Sequence, residues 1–259
     1  MILAQISDPH VTVGPEDAGS AKSLEAAVDA VAGFDPRPDA VLLSGDVTEH
    51  GSPEEYERVA ELLEPLPIPL HAIPGNHDDV DRLRAAVGAP GEPGEHLQYS
   101  VDLGPLLLVA CDTTVAGEDG GALGAERLGW LEAELRTHPE APTLLAMHHP
   151  PVATGHPLLD AISLAADDCA ALAELLAANP QVKRIVCGHV HRGATGALAG
   201  CPVFVCASSY LQLALDLRSE AEIGLIREPP VIGLHVLIGS ELISHVVPIG
   251  DFGQPFRLY

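Results

Sequence analysis

Short apolar runs recur along the chain and alternate with stretches whose apolar residues return every three or four positions. Ile2 to Ser7, Ala40 to Leu43, Leu70 to Ile73, Thr143 to Met147 and Val182 to Cys187 read as buried strands. Between them, Ser20 to Ala32 sets Leu24, Ala27, Val28 and Val31 on one helical face, and Val80 to Val87 and Glu126 to Arg136 predict further helices. Ser52, Pro53 and Glu55 form a capping box with proline at the first helical position. Asp167 is the expected N-cap of a helix running to Ala178, and Val101 to Asp112 the expected hairpin arm and strand.

Later in the chain the pattern shortens to Val203 to Ala207, Ile232 to Leu237 and Leu242 to Val247, separated by turn residues, with Leu211 to Pro230 the least regular stretch. Alternating strand and helix predicts an α/β layered fold with helices outside the sheets. There is no low-complexity linker and no fixed-period repeat. One domain over residues 1–259 is expected, with a small elaboration at about 208–230.

The polar residues carry more information for where they fall. Asp8-Pro9-His10, Gly45-Asp46, Gly75-Asn76-His77-Asp78, His148-His149-Pro150 and Gly188-His189-Val190-His191 each follow directly on an apolar strand. Ligand sites of α/β folds assemble at such carboxyl ends. Taken singly each motif has a plainer explanation: Asp8 and His10 as turn residues, Gly45-Asp46 as an ordinary turn, His189 and His191 as a solvated surface pair. Together they supply two Asp, one Asn and at least four His. Nitrogen and hard-oxygen donors without thiolate suit Mn, Fe, Co, Ni or Zn. Seven donors are too many for one ion and about right for two, provided one carboxylate bridges, which is the arrangement of a binuclear hydrolase.

Charge narrows the substrate. Thirteen Lys and Arg against 37 Asp and Glu give a formal charge of −24, which repels a nucleic-acid polymer or an anionic membrane. Cys111, Cys169, Cys187, Cys201 and Cys206 show no paired short spacing and read as small buried hydrophobes in a reducing compartment. No apolar run reaches the roughly 20 residues of a transmembrane helix, and the start lacks the features of a secretory signal, so a cytoplasmic location is expected.

The ordered set D-x-H, G-D, G-N-H-D, H-x-P and G-H-x-H, within the strings ISDPH, LLSGDVTEHG, IPGNHDD, CDTTVAGEDGG, WLEAEL, MHHPP and CGHVHR, resembles the calcineurin-like metallophosphoesterase superfamily. Within it the strings are similar to bacterial class III cyclic-nucleotide phosphodiesterases and the related glycerophosphodiesterases, from residue 2 to about residue 207. The resemblance implies a four-layer α/β/β/α sandwich of two mixed sheets with helices outside. It also implies two divalent transition-metal ions (Fe, Mn, Zn or Co), one held by Asp8, His10, Asp46 and His191, the other by the bridging Asp46 with Asn76, His148 and His189. His77 would face the phosphate, stabilising its charge or protonating the leaving alkoxide.

The implied reaction is attack of a metal-bridging hydroxide on a small phosphodiester, with 3′,5′-cyclic nucleotides such as cAMP first. Glycerophosphodiesters or phosphomonoesters are the alternative, and a non-catalytic scaffold on the same fold the remote one. In the glycerophosphodiesterase relatives the part of the chain after Cys206 forms a cap and dimer contact, so a homodimer or higher homo-oligomer is expected. Pro9 departs from the Thr or Leu more usual there, and its fixed φ could shift His10. His149 is expected to point away from the metals, Asp78 and Asp112 to orient a ligand imidazole or the loop, or simply to cap turns. His50, His71, His96, His138, His156, His235 and His245 match no motif and read as structural or surface residues.

Overall fold

The computed structural model describes residues 1–253; residues 254–259, the last of the expected domain, lie outside the described residues. The first part of the chain lays down three parallel strands, β1 (Ile2–Ile6), β2 (Ala40–Ser44) and β3 (Leu70–Ile73). They are connected through α1 (Ser20–Ala32) and α2 (Pro53–Leu63), and α3 (Val80–Val87) follows β3. The capping box forms as expected: Ser52 accepts from the Glu55 amide while the Glu55 side chain reaches back to the Ser52 amide.

A hairpin of β4 (Tyr99–Asp102) and β5 (Leu107–Ala110) opens a second sheet. It continues in parallel with β6 (Thr143–Ala146), reached through α4 (Gly124–Thr137), and β7 (Val182–Cys187), reached through α5 (Pro157–Ala161) and α6 (Ala166–Ala178). β8 (Ala194–Leu198) and β9 (Cys201–Val205) complete that sheet in the order β4-β5-β6-β7-β9-β8. After a two-residue ladder of β10 (Gln212–Leu213) and β11 (Leu225–Ile226), β12 (Val231–Ile238) and β13 (Glu241–Pro248) return to the first sheet, giving β13-β12-β1-β2-β3. β1 is thus central, and both sheets are mixed.

Burial follows the two-residue period of the strands. Leu108, Ala110, Leu144, Ala146, Val186 and Phe204 face the first sheet and join its core, which also takes Leu24, Val59 and Leu83 from α1, α2 and α3. Their neighbours Leu107, Val109, Leu145, Met147, Ile185 and Val203 turn outward to Leu131 and Leu135 of α4 and Leu172 and Leu176 of α6. The layers are therefore α/β/β/α.

One local expectation is corrected and one strand is added. Asp167 does not cap α6: Ala165 holds the N-cap position with no side-chain bond, and Asp167 lies in the first turn, where a carboxylate favours the helix dipole. Asp168 is the tethering residue, accepting from the amides of Leu123 at 2.8 Å and Gly124 at 3.0 Å where α4 begins. β8, whose sequence ATGAL holds no apolar run and whose residues are half-buried to exposed, was not anticipated.

Candidate metal centre

Each polar motif begins where a strand stops, and the loops stay laced together beyond the ladders. The Asp8 amide donates to Gly45 O at 3.1 Å, the His10 amide to Asp46 O at 3.0 Å and the Gly188 amide to His148 O at 3.1 Å. Bonds also cross between the sheets; among them, the His189 amide donates to Asp8 Oδ1 at 2.9 Å. Asp8, His10, Asp46, His189 and His191 all take left-handed backbone, with φ between 45° and 72°, and among the described residues only Ala199 joins them as a non-glycine. Such backbone is strained for these residues and persists where surrounding structure enforces it, typically at functional sites.

The hydrogen-bond partners settle the tautomers. His148 Nδ1 donates to Ser44 O at 2.8 Å, His191 Nδ1 to Leu211 O at 3.0 Å and His10 Nδ1 to Glu49 Oε2 at 2.6 Å. In their neutral forms each therefore presents an unprotonated Nε2. A carbonyl or carboxylate on the far nitrogen is the usual setting of a metal-binding imidazole. His10 Nε2 and His191 Nε2 stand 2.9 Å apart, with Asp46 Oδ2 at 3.5 Å from the former and Asp8 Oδ1 at 3.7 Å from the latter. Across Asp46, His148 Nε2 is 3.2 Å from Oδ2 and has no hydrogen-bond partner. His189 Nε2 is likewise buried without one, while its Nδ1 lies 3.1 Å from Asn76 Oδ1. With the imidazoles neutral, lone pairs face lone pairs in a buried space and call for a proton or a metal ion between them, and the donor set fits metal ions.

The structure brings together all eight residues singled out in the sequence. Asp8, His10, Asp46 and His191 place donor atoms within 4.8 Å of one another. A second such group is His148, His149 and His189. His149 is the unexpected neighbour, yet both its nitrogens are used. Nε2 is 3.1 Å from Asp119 O, which can only accept, so it is the protonated nitrogen; Nδ1 then accepts from Thr113 Oγ1 at 2.8 Å. Burial, helped by the charge on His148, pushes His149 down to about 3. It is a neutral packing partner for His148 and His189.

Electrostatics point the same way. Burial opposes charging His10, but the Glu49 hydrogen bond with Asp46 and Asp8 outweighs it and raises the imidazole to about 9. His148 is raised to about 9 against burial by Asp46 and Asp8. For Asp46 burial pushes up, and the neighbouring His148 and His10 carry it well below the ordinary carboxylate range. The cluster attracts positive charge. Asp78 organises the loops around it, accepting from the amides of Gly75 at 2.9 Å, Val47 at 3.1 Å and Thr48 at 3.2 Å and from the Tyr56 hydroxyl at 2.9 Å. Asp112 holds the Leu97 amide and Thr114 instead. Glu49, from the TEHG string, is the partner that sequence alone did not single out.

The centre opens into a cavity of about 660 Å³. It is lined by His10, Asp46, Glu49, Asn76, His77, His189 and His191, and also by Leu159, Ile162, Tyr210, Leu211, Leu213, Ile223 and Leu225. No Lys or Arg is among the described residues that line it.

A four-layer α/β/β/α sandwich with imidazole and carboxylate clusters at its converging strand ends defines a metallohydrolase. Residues 1–193 match the family described as calcineurin-like phosphoesterase, and the chain belongs to that family, whose members work with a binuclear divalent metal centre. A probable glycerophosphodiester phosphodiesterase, GpdQ, of Arcobacter nitrofigilis is 34% identical over 266 residues, covering 100% of this chain and 97% of the relative. A cAMP/cGMP dual specificity phosphodiesterase of Mycobacterium tuberculosis is 32% identical over 266 residues, covering 96% and 80% respectively. A dimetal phosphatase from Danio rerio shares the fold, with a TM-score of 0.71 at 15% identity over 97% of both chains.

Proposed function

We propose that this phosphoesterase hydrolyses small phosphodiesters, with 3′,5′-cyclic nucleotides as the leading substrates. The observation that carries this is the composition of the cavity lining, which combines the clustered donors with apolar side chains that suit a nucleobase. Asp8, His10, Asp46 and His191 would hold one ion, and Asp46, Asn76, His148 and His189 the second, as the convergence of their donor atoms supports. When bound, the ions supply Lewis acidity and lower the pKa of water that attacks phosphorus.

The chain's own groups do the rest. Asp46 is held by the His77 amide at 3.0 Å on Oδ1, which leaves Oδ2 between His10 and His148. His77 Nδ1 donates to Glu49 O at 2.9 Å, so Nε2 is the atom left for a phosphoryl oxygen or the leaving alkoxide. Among the described residues no Lys or Arg lines the pocket. Anion binding therefore depends on the metals and His77.

Purified protein with Mn(II) should cleave bis(p-nitrophenyl) phosphate, and Asp46→Ala should abolish this; unchanged turnover in that variant would remove the assignment. A second reading, glycerophosphodiester hydrolysis, is favoured by the near full-length similarity to the Arcobacter relative. Faster turnover of glycerophosphoethanolamine than of cAMP would decide for it. The segment 208–230 supplies Tyr210, Leu211, Leu213, Ile223 and Leu225 to the cavity and exposes Leu215 and Leu217. We assign to it a cap that shapes substrate choice and a contact to a second copy, which sedimentation as a monomer alone would discard. Among the described residues no helix is long and apolar enough to cross a membrane, and no disulfide pairs the five cysteines. A cytoplasmic location is the corresponding proposal, checked by fractionation.

A further inference from the structure

A chain of buried hydrogen bonds runs from the β12–β13 hairpin to the Asp8 carboxylate, and chemistry fixes the donor at every link. The Cys187 carbonyl only accepts, so the Gln5 atom 3.0 Å from it is the amide nitrogen Nε2, whose other hydrogen goes to Ser44 Oγ at 2.8 Å. Gln5 Oε1 then accepts from His235 Nε2 at 3.0 Å, which places the proton of that imidazole on Nε2. Burial pushes His235 down to about 3, so the ring is neutral and its bare Nδ1 accepts from Ser244 Oγ at 2.7 Å. In the other direction Ser44 Oγ donates to Ser7 Oγ at 2.7 Å, and Ser7 Oγ donates to Asp8 Oδ2 at 2.5 Å.

All five bonds point the same way, from Ser244 through His235, Gln5, Ser44 and Ser7 to Asp8. The four middle residues are fully buried. Buried polar groups are costly unless satisfied. Here each is satisfied, and a run of donors aligned head to tail strengthens its last bond, the one to a carboxylate. Two glycines make room for the chain. A Cβ on Gly233 would press on Gln5 Oε1 and the Phe204 ring, and one on Gly188 would strike Ser7 Oγ.

We propose that Ser244, His235, Gln5, Ser44 and Ser7 form a positioning network that orients the Asp8 carboxylate and sets the affinity of the metal site to which it belongs. The proposal rests on Asp8 holding one of the two ions. The far end of the network lies on the hairpin strands and not in the catalytic loops, so a substitution at His235, three bonds before Ser7, should be felt at the metal.

The test is titration of metal-depleted protein with Mn(II), following free ion by electron paramagnetic resonance. Asp8→Asn, run in parallel, should remove one of two binding steps and so mark which step belongs to Asp8. In His235→Leu that same step should weaken about tenfold, the scale of substitutions at residues that hold metal ligands, while the other step moves less than threefold. His235→Gln keeps an N–H for Gln5 and should stay within threefold of the parent at both steps, a rescue that loss of packing alone would not give. A change under threefold at the marked step in folded His235→Leu overturns the network while leaving the ligand role of Asp8 intact. If His235→Leu does not fold, Ser44→Ala is judged by the same limits. Retention of both steps in Asp8→Asn would refute the ligand role, and the network with it.

Discussion

Gly75 and Asp46 approach so closely that a methyl group on Gly75 would strike the Asp46 carboxylate and its backbone nitrogen. Gly75→Ala should therefore displace the carboxylate proposed to serve both ions. Overpacking of this kind costs about 1–3 kcal/mol in stability. The functional loss should be larger, with kcat/KM for bis(p-nitrophenyl) phosphate at saturating Mn(II) falling more than about 100-fold, the effect of moving a reacting group by an ångström. Urea denaturation and steady-state kinetics on the same preparation separate the two, and near-parent turnover would show that the contact is not limiting.

Glu49 receives the Nδ1 proton of His10 at 2.6 Å, and that bond holds its carboxyl below the ordinary value. Glu49→Ala should weaken Mn(II) binding by about 10–100-fold, as loss of a carboxylate behind a metal-binding imidazole does. Glu49→Gln, which can still accept from Nδ1, should lose less. Calorimetric titration of metal-depleted protein ranks the three; equal affinities would deny Glu49 this part.

His77→Ala keeps the backbone amide that donates to Asp46 and removes only the imidazole. Its kcat should drop by about 10²–10⁴, the range for loss of a general acid, with Mn(II) affinity unchanged within threefold. Parallel loss of metal would instead identify His77 as a ligand, consistent with its grouping beside His10 and Glu49.

How much of this was legible beforehand depends on sequence distance. The strand-end motifs stand out because a buried apolar run followed at once by Asp, His or Gly is a local pattern, and five of them in order imply convergence. The helix starting at Pro53 was equally local, signalled by Ser52 and Glu55. Asp167 and Asp168 are adjacent carboxylates, and only tertiary structure, through the Leu123 and Gly124 amides, selects the second. Gln5 and His235 lie 230 positions apart and carry no motif; His235 read as an ordinary histidine because its partner comes from a pairing of β1 with β12 that no local pattern encodes.

That histidine also gives the fold a pH dependence. Its pKa is about 3 when folded against an ordinary 6.5, so the unfolded chain takes up a proton that the native state refuses. Stability from this group is complete above about pH 6.5 and declines as pH falls toward 3. By pH 4.5 the loss from pH 7.5 should be roughly 2–3 kcal/mol for this residue. His235→Gln should flatten the difference between urea unfolding at those two pH values, measured on chelator-treated protein, by that amount; an unaltered difference would place the acid sensitivity elsewhere.

The left-handed backbone at Asp8, His10, Asp46, His189 and His191 sets folding and working against each other at the same five positions. Glycine would relax each of them and remove the metal donor proposed there. The most comfortable version of this chain would thus be an inert one, and random stabilising change should erode the centre first. Selection for stability alone would make a sturdier sandwich that no longer does chemistry.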